Sequence, residues 1–375
     1  MNDLNKNKTN FAKYADTNIL DGYLDHKDNS QNYTSNSFPM IKGKKASLQK
    51  TVIEIKKLIK NSNGIHMDGL CCDQISLNKT ISFAEKNQFS FNHMNANEIS
   101  SFYTNCQRFG ASFASFNEAK NRSDFILFIG WNPTENFVKT FIKNLNWGFS
   151  KKKKIFFLTE SKQINRSKNI ISIKKKDIVG GLISLANSFL KKREKKQYES
   201  IFRCYSDANF PVFIPKIESN NNPLILSLFS ILKDLNNFKP TRILNTLGYN
   251  NIAGFINVCL TRTGFPNALY FSEVGPLYDP YEFKSEKFMK SCDLQIFVSN
   301  LNFKPNINYF KKNIFIGHPS IKNKNFFDVF IPTKIPGIDS DGLVMKHDLI
   351  SLIKLNKIFE SNYPKLDEVF ELISD

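Results

Sequence analysis

Cysteine and histidine are among the side chains here that could ligate a metal ion or carry out redox and acid–base chemistry. The six cysteines are Cys71, Cys72, Cys106, Cys204, Cys259 and Cys292. Apart from the adjacent pair they are scattered; no CxxC occurs, and no histidine stands at metal-ligand spacing from a cysteine. Two adjacent cysteines cannot form an ordinary disulfide. The pattern therefore predicts buried, reduced thiols rather than a metal or redox site.

Two histidines follow short apolar segments and are candidates for ligand contact. His93 comes after the segment that begins at Phe89, and His318 stands in a Gly-His-Pro loop after Asn313–Gly317. A histidine at the end of a strand can bind a ligand or can serve as a hydrogen-bonded structural residue. The sequence leaves both interpretations open for each histidine.

The elements that must position these residues are short apolar strands alternating with helices. The predicted strands are Phe89–His93, Phe125–Gly130, Lys151–Thr159, Ile170–Ile173, Phe210–Ile217, Cys292–Ser299, Asn313–Gly317 and Phe327–Ile331. The predicted helices are one that begins after Ser47, then Ile75–Glu85, Glu98–Gln107, Ile178–Lys195 and Asn222–Asn236. This alternation is typical of an α/β fold with parallel sheets. Because ligands in such sheets bind at the carboxyl ends of strands, the candidate ligand loops are Gly130–Pro133, Ser299–Leu301 and Gly317–Pro319.

The composition indicates a globular protein with room for two domains. The chain has 375 residues, is 41% hydrophobic and carries a formal net charge of +18. Residues 1–46 are polar and aperiodic, which predicts a flexible tail without a secretory signal, and no apolar run is long enough to span a membrane. We therefore expect a cytoplasmic protein. The lysine excess comes without nucleic-acid-binding motifs, so we expect no nucleic-acid partner; whether the charge is functional or compositional stays open.

The segment Asn117–Pro133, NEAKNRSDFILFIGWNP, combines a charged turn, a buried strand and a Gly-x-Asn-Pro loop. It resembles the molybdopterin-type subunit of formylmethanofuran dehydrogenase, where a GEVKNRAD-type turn precedes an apolar strand that ends in WGxNP. The matching positions are Glu118, Lys120, Asn121, Arg122, Asp124, Gly130, Asn132 and Pro133. The resemblance makes Arg122, Gly130 and Asn132 candidates for contact with a ligand or for a structural loop.

Further blocks in the same order resemble the same family. Asp234–Asn236 (DLN) precedes Asn251–Pro266 (NIAGFINVCLTRTGFP), which is similar to the family's N-x-x-GF-x-x-VC-x-x-x-TG-P run and contains the candidates Asn251, Gly254 and Arg262. Tyr278–Phe283 resembles the family's later Y-x-P-x-EF. Phe327–His347 resembles its ADVVIP strand and the glycine-bearing turn that follows it. The resemblance covers roughly residues 47–350.

The resemblance implies an architecture that the alternating pattern alone does not specify. It implies two Rossmann-like parallel-sheet domains, one inserted in the other, as in the formate dehydrogenase/DMSO reductase scaffold. The outer domain would combine residues 47–150 with 291–375, and the inserted domain would be 151–290. Residues 1–46 would precede both.

Three departures from the family concern its redox cofactors. The family begins with a cysteine-ligated iron–sulfur domain, yet the first cysteine here is Cys71, and such a cluster needs four thiolates. The Cys71–Asp73 stretch fits the family's GL-x-x-D loop instead. The stretch after Phe91, NHMNANEIS, has no thiol for molybdenum or tungsten, and the family's Arg-Gly-His run is Leu247-Gly248-Tyr249. We therefore expect this chain to bind neither molybdopterin nor an iron–sulfur cluster.

The same losses resemble the corresponding, non-redox subunit of the bacterial formyltransferase/hydrolase complex of methylotrophs, which the His93 and Pro336–Asp341 segments also fit. That complex is implied to move a formyl group from tetrahydromethanopterin to a methanofuran-type carrier and to release formate. Its formyltransferase and metal-dependent, amidohydrolase-like subunits would be partners of this chain. The chain itself would be a scaffold without catalytic residues. Its lysines could hold the carrier's polyglutamate tail.

Two other functions stay open at this stage. The chain could be an active molybdenum- or tungsten-dependent subunit of formylmethanofuran dehydrogenase, which the missing ligands argue against. It could also be an independent binding protein for an anionic ligand. Under the favoured function, no residue is assigned to a cofactor, and the candidates for carrier contact or for a structural loop are His93, Arg122, Gly130, Asn132, Asn251, Gly254, Arg262 and His318.

Overall fold

The computed structural model describes residues 36–145, 153–159, 170–172, 177–190, 198–217, 222–246, 249–283, 287, 291–301, 312–346 and 348–375. Its helices are α1 (Leu48–Lys60), α2 (Gln74–Lys86), α3 (Ala96–Phe109), α4 (Phe116–Asn121), α5 (Asn136–Leu145), α6 (Ile178–Phe189), α7 (Glu199–Ser206), α8 (Asn222–Asn236), α9 (Ile252–Thr263) and α10 (Leu366–Ser374). The first 35 residues of the expected tail, together with Leu247, Gly248 and His347, lie outside the described ranges.

Seventeen strands accompany these helices in the described ranges. They are β1 (Met40–Ile41), β2 (Lys44–Lys45), β3 (Ile65–Cys71), β4 (Ser90–Phe91), β5 (Phe113–Ala114), β6 (Phe125–Ile129), β7 (Lys154–Thr159), β8 (Ile170–Ser172), β9 (Pro211–Pro215), β10 (Arg242–Leu244), β11 (Leu269–Ser272), β12 (Gly275–Tyr278), β13 (Leu294–Ser299), β14 (Asn313–Gly317), β15 (Val329–Pro332), β16 (Gly342–Met345) and β17 (Leu352–Leu355).

Contacts divide the chain into two units. Unit 1 is Met1–Asn97 with Gly248–Asp375, and unit 2 is Glu98–Leu247. The sequence-based bounds of the inserted domain, 151–290, differ from unit 2 at both ends. The reason is strand pairing: β6 hydrogen-bonds to β7 and β9 within unit 2, whereas β11 pairs with β4 within unit 1.

Unit 1 is built on a nine-stranded sheet with the order β12–β11–β4–β3–β13–β14–β15–β1–β2. Its five central strands, β4 to β15 in this order, are parallel, and the outer strands on both sides pair antiparallel. Strands β13, β14 and β15 are buried along their whole length, as expected of parallel strands covered on both faces. The parallel centre brings five strand carboxyl ends to one edge, where ligands of such sheets bind.

Residues 36–46 differ from the expected flexible tail. Strand β1 pairs antiparallel with β15, and a turn at Lys42 and Gly43 leads back into β2. The side chain of Met40 packs against a core cluster that contains Phe315 and Phe330, and the Lys45 ammonium lies 3.4 Å from the centre of the Phe38 ring. These apolar contacts and the strand pairing make this segment part of the sheet.

Local sequence determines where the helices of unit 1 begin. The hydroxyl of Ser47 accepts a hydrogen bond from the Lys50 backbone N–H at 3.3 Å, as an N-cap of α1. The Asp73 carboxylate accepts one from the Ile75 N–H at 3.2 Å and caps α2 in the same way. Asp73 therefore stands between the end of β3 and the start of α2, at the carboxyl edge of the sheet.

Unit 2 contains a six-stranded sheet with the order β5–β10–β9–β6–β7–β8, which is parallel throughout. Its core is largely aromatic: the Phe128 and Phe157 rings stack at 4.9 Å between centroids, and Phe189 stacks on Tyr205 at 4.1 Å. All five residues of β6 are buried, in agreement with the apolar FILFI run. The predicted α/β fold with parallel sheets is therefore confirmed. Within the described ranges, no helix has the length and apolar character needed to cross a membrane.

Candidate functional site

The carboxyl edge of the parallel strands in unit 1 gathers buried polar residues from several loops. His93 follows β4, Asp73 follows β3, Asn300 follows β13 and His318 follows β14; each is at most 4% exposed. Buried polar groups at the ligand edge of a sheet are candidates for binding or for structural hydrogen bonds. Their partners decide between these roles.

Asn251 is bonded at both ends of its side-chain amide. Its Nδ2 donates to the backbone carbonyl of Cys72 at 2.8 Å, and its Oδ1 accepts the backbone N–H of Met345 at 2.9 Å. Asn250 and Asn251 both have left-handed backbone, with φ of 60° and 55°, which asparagine tolerates better than most residues. The amide thus links the start of α9 to the loop after β3 and to β16.

Gly254 leaves room for that amide. A Cβ at position 254 would lie 2.5 Å from Nδ2 and 2.6 Å from Oδ1 of Asn251, closer than nonbonded atoms approach. The spacing of Asn251 and Gly254 in the sequence motif therefore has a physical reason: one residue supplies the bridge and the other makes space for it.

His93 is held by both ring nitrogens. The backbone N–H of Asn95 donates to Nδ1 at 3.1 Å, so Nε2 carries the proton and donates to the Asn250 carbonyl at 3.1 Å. The ring also lies 5.3 Å from the ring of Phe255. Burial lowers the pKa of His93 to about 4, although the bond to Asn250 opposes the shift. His93 is therefore a neutral imidazole at pH 7 that joins the loop after β4 to the start of α9.

His318 is buried at the same edge. Its Nδ1 accepts the backbone N–H of Ser320 at 3.1 Å, and burial lowers its pKa to about 3, with a further contribution from the charge of Lys324. The preceding Gly317 permits close approach of β14 to β13, because a Cβ there would overlap the Ser299 carbonyl oxygen at 1.9 Å. In this Gly-His pair, the glycine lets the two strands approach closely, and the histidine side chain binds the backbone of the following loop.

The thiols at this edge do not fit a thiolate-ligated metal centre. Cys71 packs in an apolar cluster with Leu301, Val344 and Leu355. Burial raises the pKa of the Cys71 thiol to about 12. The pKa of the Cys72 thiol is also raised, mainly by burial and to a smaller extent by the negative charge of Asp73. Iron–sulfur clusters are held by four cysteine thiolates, and among the described residues no third His, Cys, Asp or Glu joins this pair in a group that could hold a metal ion. Both cysteines therefore act as small apolar core residues.

The stretch after β4, where the resembled family has its metal ligands, holds amide side chains. Asn250 Nδ2 donates to Asn95 Oδ1 at 3.1 Å, and lies 3.7 Å from the Met94 sulfur. Among the described residues, no group of three His, Cys, Asp or Glu side chains is arranged to hold a metal ion. The donors here are the two bonded nitrogens of His93, the Met94 thioether, neutral amides and backbone groups.

A small cleft of about 60 Å³ opens at this edge beside Asp73 and Asn300. Asn300 is 2% exposed, and its Oδ1 has no hydrogen-bond partner in the described part of the chain. Burial raises the pKa of Asp73, and the charge of Asp367 adds to the shift. The cleft can hold roughly two water molecules at about 30 Å³ each, or one small hydrogen-bond donor. Of these residues, the sequence predicted Asn300, which belongs to the candidate loop Ser299–Leu301. It did not predict Asp367, which lies far away in the sequence and reaches the cleft only through the tertiary fold.

In unit 2, Gly130 and Asn132 form the turn between β6 and α5. Gly130 has a φ of 80°, and Asn132 Oδ1 accepts the Thr134 N–H at 3.0 Å while its own N–H donates to Glu135 Oε1 at 2.7 Å. Glu135 also pairs with Lys216 at 3.0 Å. This is an Asx-type turn at the start of a helix.

The two candidate arginines lie away from these loops. Arg122 ends α4, before β6, so it stands at the amino edge of the sheet; its guanidinium lies 4.5 Å from the Phe210 ring and 3.4 Å from Glu118. Arg262 is on the last turn of α9 and pairs with Glu85 of α2. The structure thus brings together His93, Asn251 and Gly254. It places His318 on the same edge of unit 1, without a contact to those three among the described hydrogen bonds.

Neither a protein-family profile nor a curated protein sequence matches this chain. Two solved structures are similar to it. The first is the crystal structure of the formyltransferase/hydrolase complex from Methylorubrum extorquens in complex with methylofuran: one chain matches with a TM-score of 0.78 and 15% identity, over 89% of this chain and 97% of that chain. The second is acetylene hydratase from Pelobacter acetylenicus, with a TM-score of 0.59 and 10% identity, over 92% of this chain and 62% of that chain. This chain therefore has the fold of a chain from the formyltransferase/hydrolase complex.

Proposed function

We propose that this chain is the molybdopterin-dehydrogenase-like subunit of a formyltransferase/hydrolase complex and that its role there is structural and carrier-binding rather than redox. The observation that carries the proposal is the fold likeness, which extends over 89% of this chain and 97% of the matched one. A match over nearly the whole of both chains concerns the complete fold rather than one shared domain. The motif resemblance in Asn117–Pro133 and Asn251–Pro266 supports the same family.

The chemistry of the sheet edge supports the non-redox part of the proposal. Cys71 packs in an apolar cluster with Leu301 and Val344, and both nitrogens of His93 are engaged in hydrogen bonds. Side chains whose donor atoms are packed or already hydrogen-bonded hold loops in place and offer no free donor to a soft metal. We propose that the molybdopterin and iron–sulfur sites of the dehydrogenase relatives have been lost here.

The remaining details follow from the same family. The architecture would be two Rossmann-like domains, one inserted in the other, as in the formate dehydrogenase/DMSO reductase scaffold. The partners would be a formyltransferase and an amidohydrolase-like protein in the cytoplasm, with the metal in the latter. The complex would convert formyl-tetrahydromethanopterin to formate through a methanofuran-type carrier, whose polyglutamate tail this lysine-rich chain would bind.

Affinity purification of the full chain from its native cells tests the proposal. We expect a formyltransferase and an amidohydrolase-like protein to co-elute in fixed stoichiometry through gel filtration. The same sample, analysed for metals, should contain no molybdenum or tungsten in proportion to this chain. A solitary, monodisperse monomer would favour the independent binding protein instead. Stoichiometric molybdenum or tungsten together with iron would favour the active dehydrogenase.

A further inference from the structure

A second cleft lies in unit 1, among the carboxyl-terminal ends of three helices. It has a volume of about 150 Å³ and lies where α1, α2 and α10 meet. Its apolar lining comes from Ile59 of α1, Phe83 of α2 and Ile373 of α10, and Phe83 packs against Phe370 with 5.2 Å between ring centroids. The helix ends belong to the amino edge of the sheet, so this cleft is separate from the site described above.

Three lysines surround the apolar floor. Lys56, Lys60 and Lys86 line the cleft, the other two lining residues are an asparagine and a serine, and no acidic side chain is among them. None of the three lysines forms an ion pair or a side-chain hydrogen bond within the described part of the chain. The three ammonium charges around one cavity exceed the partial negative charges of the three helix ends, about half a unit each, so the potential there is positive.

Other lysines on the same helices are paired. Lys57 of α1 lies 3.9 Å from Glu54, and Lys79 of α2 lies 2.8 Å from Glu371. Lysines in the last turn of a helix offset the helix dipole, which accounts for Lys60 and Lys86. The helix dipole does not account for Lys56, which precedes the last turn of α1. Nor does it account for the cavity between the three lysines.

We propose that this cleft binds a small organic anion that has an apolar body of about one ring. A closed apolar cavity of about 150 Å³ accepts a benzene ring, so this half-open cleft can partly enclose a body of that size. The apolar body would lie on Phe83 between Ile59 and Ile373, and the anionic group, a carboxylate or phosphate, would face the three ammonium groups. The apolar floor favours such a ligand over a fully hydrated ion, and the lysines favour an anion over a neutral ligand.

Methyl NMR of the full chain, labelled at isoleucine δ1, tests the proposal with phenyl phosphate as the probe. The Ile59 and Ile373 methyl signals should shift and saturate at millimolar concentration. Inorganic phosphate has only the anionic group and phenol only the ring, so each should bind at least about tenfold more weakly than phenyl phosphate. Affinity should also fall with ionic strength, because the lysines are partly exposed. Unshifted Ile59 and Ile373 signals, or equal affinity for inorganic phosphate, would overturn the proposal.

Matched lysine variants localise the effect. Lys60→Gln and Lys86→Gln should each weaken phenyl phosphate binding about threefold, as expected for loss of one exposed charge, and the double variant about tenfold. Lys57→Gln on the same helix removes a paired lysine outside the cleft and should leave the affinity unchanged. An unchanged methyl signal from Ile296 in the core would show that each variant is folded. Equal affinity of the double variant and the unmodified chain would contradict the proposal.

Discussion

The side chain of Asn251 connects residues that are far apart in sequence, since its two partners lie 179 and 94 residues away. Replacement by alanine would leave the Cys72 carbonyl and the Met345 N–H buried without partners. An unsatisfied buried group costs about 1–3 kcal/mol, so Asn251→Ala should lower the free energy of unfolding by about 2–4 kcal/mol. Urea denaturation measures this loss.

The control for that prediction is Asn78→Ala. Asn78 is exposed on α2, where its Nδ2 donates to the Gln74 carbonyl at 3.0 Å. Water can replace this bond, so the free energy of unfolding should change by less than about 0.5 kcal/mol. Similar losses for both variants would mean that the Asn251 bridge carries no special stability.

Gly254→Ala should destabilise the chain although alanine is the better helix former. In a helix, Gly→Ala ordinarily stabilises by about 0.8–1 kcal/mol, but here the added Cβ would overlap the Asn251 amide. In an Asn251→Ala background, Gly254→Ala should instead raise the free energy of unfolding, because the amide atoms that the new Cβ would overlap are absent. A double-mutant cycle in urea therefore should give a coupling free energy of about 1–3 kcal/mol; additive effects would contradict the geometry.

These residue roles show what the sequence could and could not predict. The Asn251-to-Gly254 spacing marked both residues as candidates, because the resembled family has the same pair. Their mutual contact depends on left-handed backbone at Asn250 and Asn251 and on tertiary partners in β16 and the loop after β3. Periodicity carries no information on such contacts. Whether any of the candidate residues touches a carrier stays a prediction.

At the scale of elements, three buried histidines make the sheet of unit 1 sensitive to acid. His66 lies in β3, His93 follows β4 and His318 follows β14, and burial lowers their pKa values to about 3, about 4 and about 3. A histidine with a lowered folded pKa binds more protons when unfolded, so acidification below about pH 6.5 favours unfolding. Between pH 6.5 and 5 each should remove about 2 kcal/mol of stability, at 1.36 kcal/mol per pH unit.

Urea unfolding at several pH values checks this prediction. The free energy of unfolding should fall steeply from pH 6.5 to 5, and His93→Gln should make the fall about 2 kcal/mol smaller whatever its stability at pH 7. The raised pKa of Asp73 has the opposite sign and reduces the total, but it is common to both proteins. An identical pH dependence in the variant would show that His93 is not buried as a neutral ring.

The sequence predicted the regular elements better than the irregular ones. Helix α8 has the predicted bounds, and β6 and β14 follow their apolar runs to within one residue, because continuous burial of parallel strands selects such runs. The β11–β12 and β16–β17 hairpins were not predicted. Pro276 lies inside β12, where proline argues against a strand, and only its position at the sheet edge permits it.

For the whole molecule, charge is the property that links this chain to the proposed carrier. The net charge of +18 belongs to a chain whose described ion pairs are mostly exposed, as in the Lys57–Glu54 and Lys312–Asp293 pairs at 3.9 Å. Diffuse positive charge attracts a flexible polyanion without a defined pocket. An interaction of this kind depends on the number of lysines more than on any one of them.

The chain should therefore bind an oligoglutamate peptide with an affinity that decreases as salt is added. Between low and physiological ionic strength the Debye length shortens to about 8 Å, which screens exposed lysines from the peptide carboxylates. Fluorescence anisotropy of a labelled peptide measures the affinity, with an uncharged oligoglutamine peptide of equal length as the control. Because the binding is spread over the surface, Lys60→Gln with Lys86→Gln should change it by less than about twofold, unlike the phenyl phosphate affinity. Salt-insensitive binding would show that the positive surface does not hold a polyglutamate tail, and the proposed role of the chain would then be reduced to its structural part.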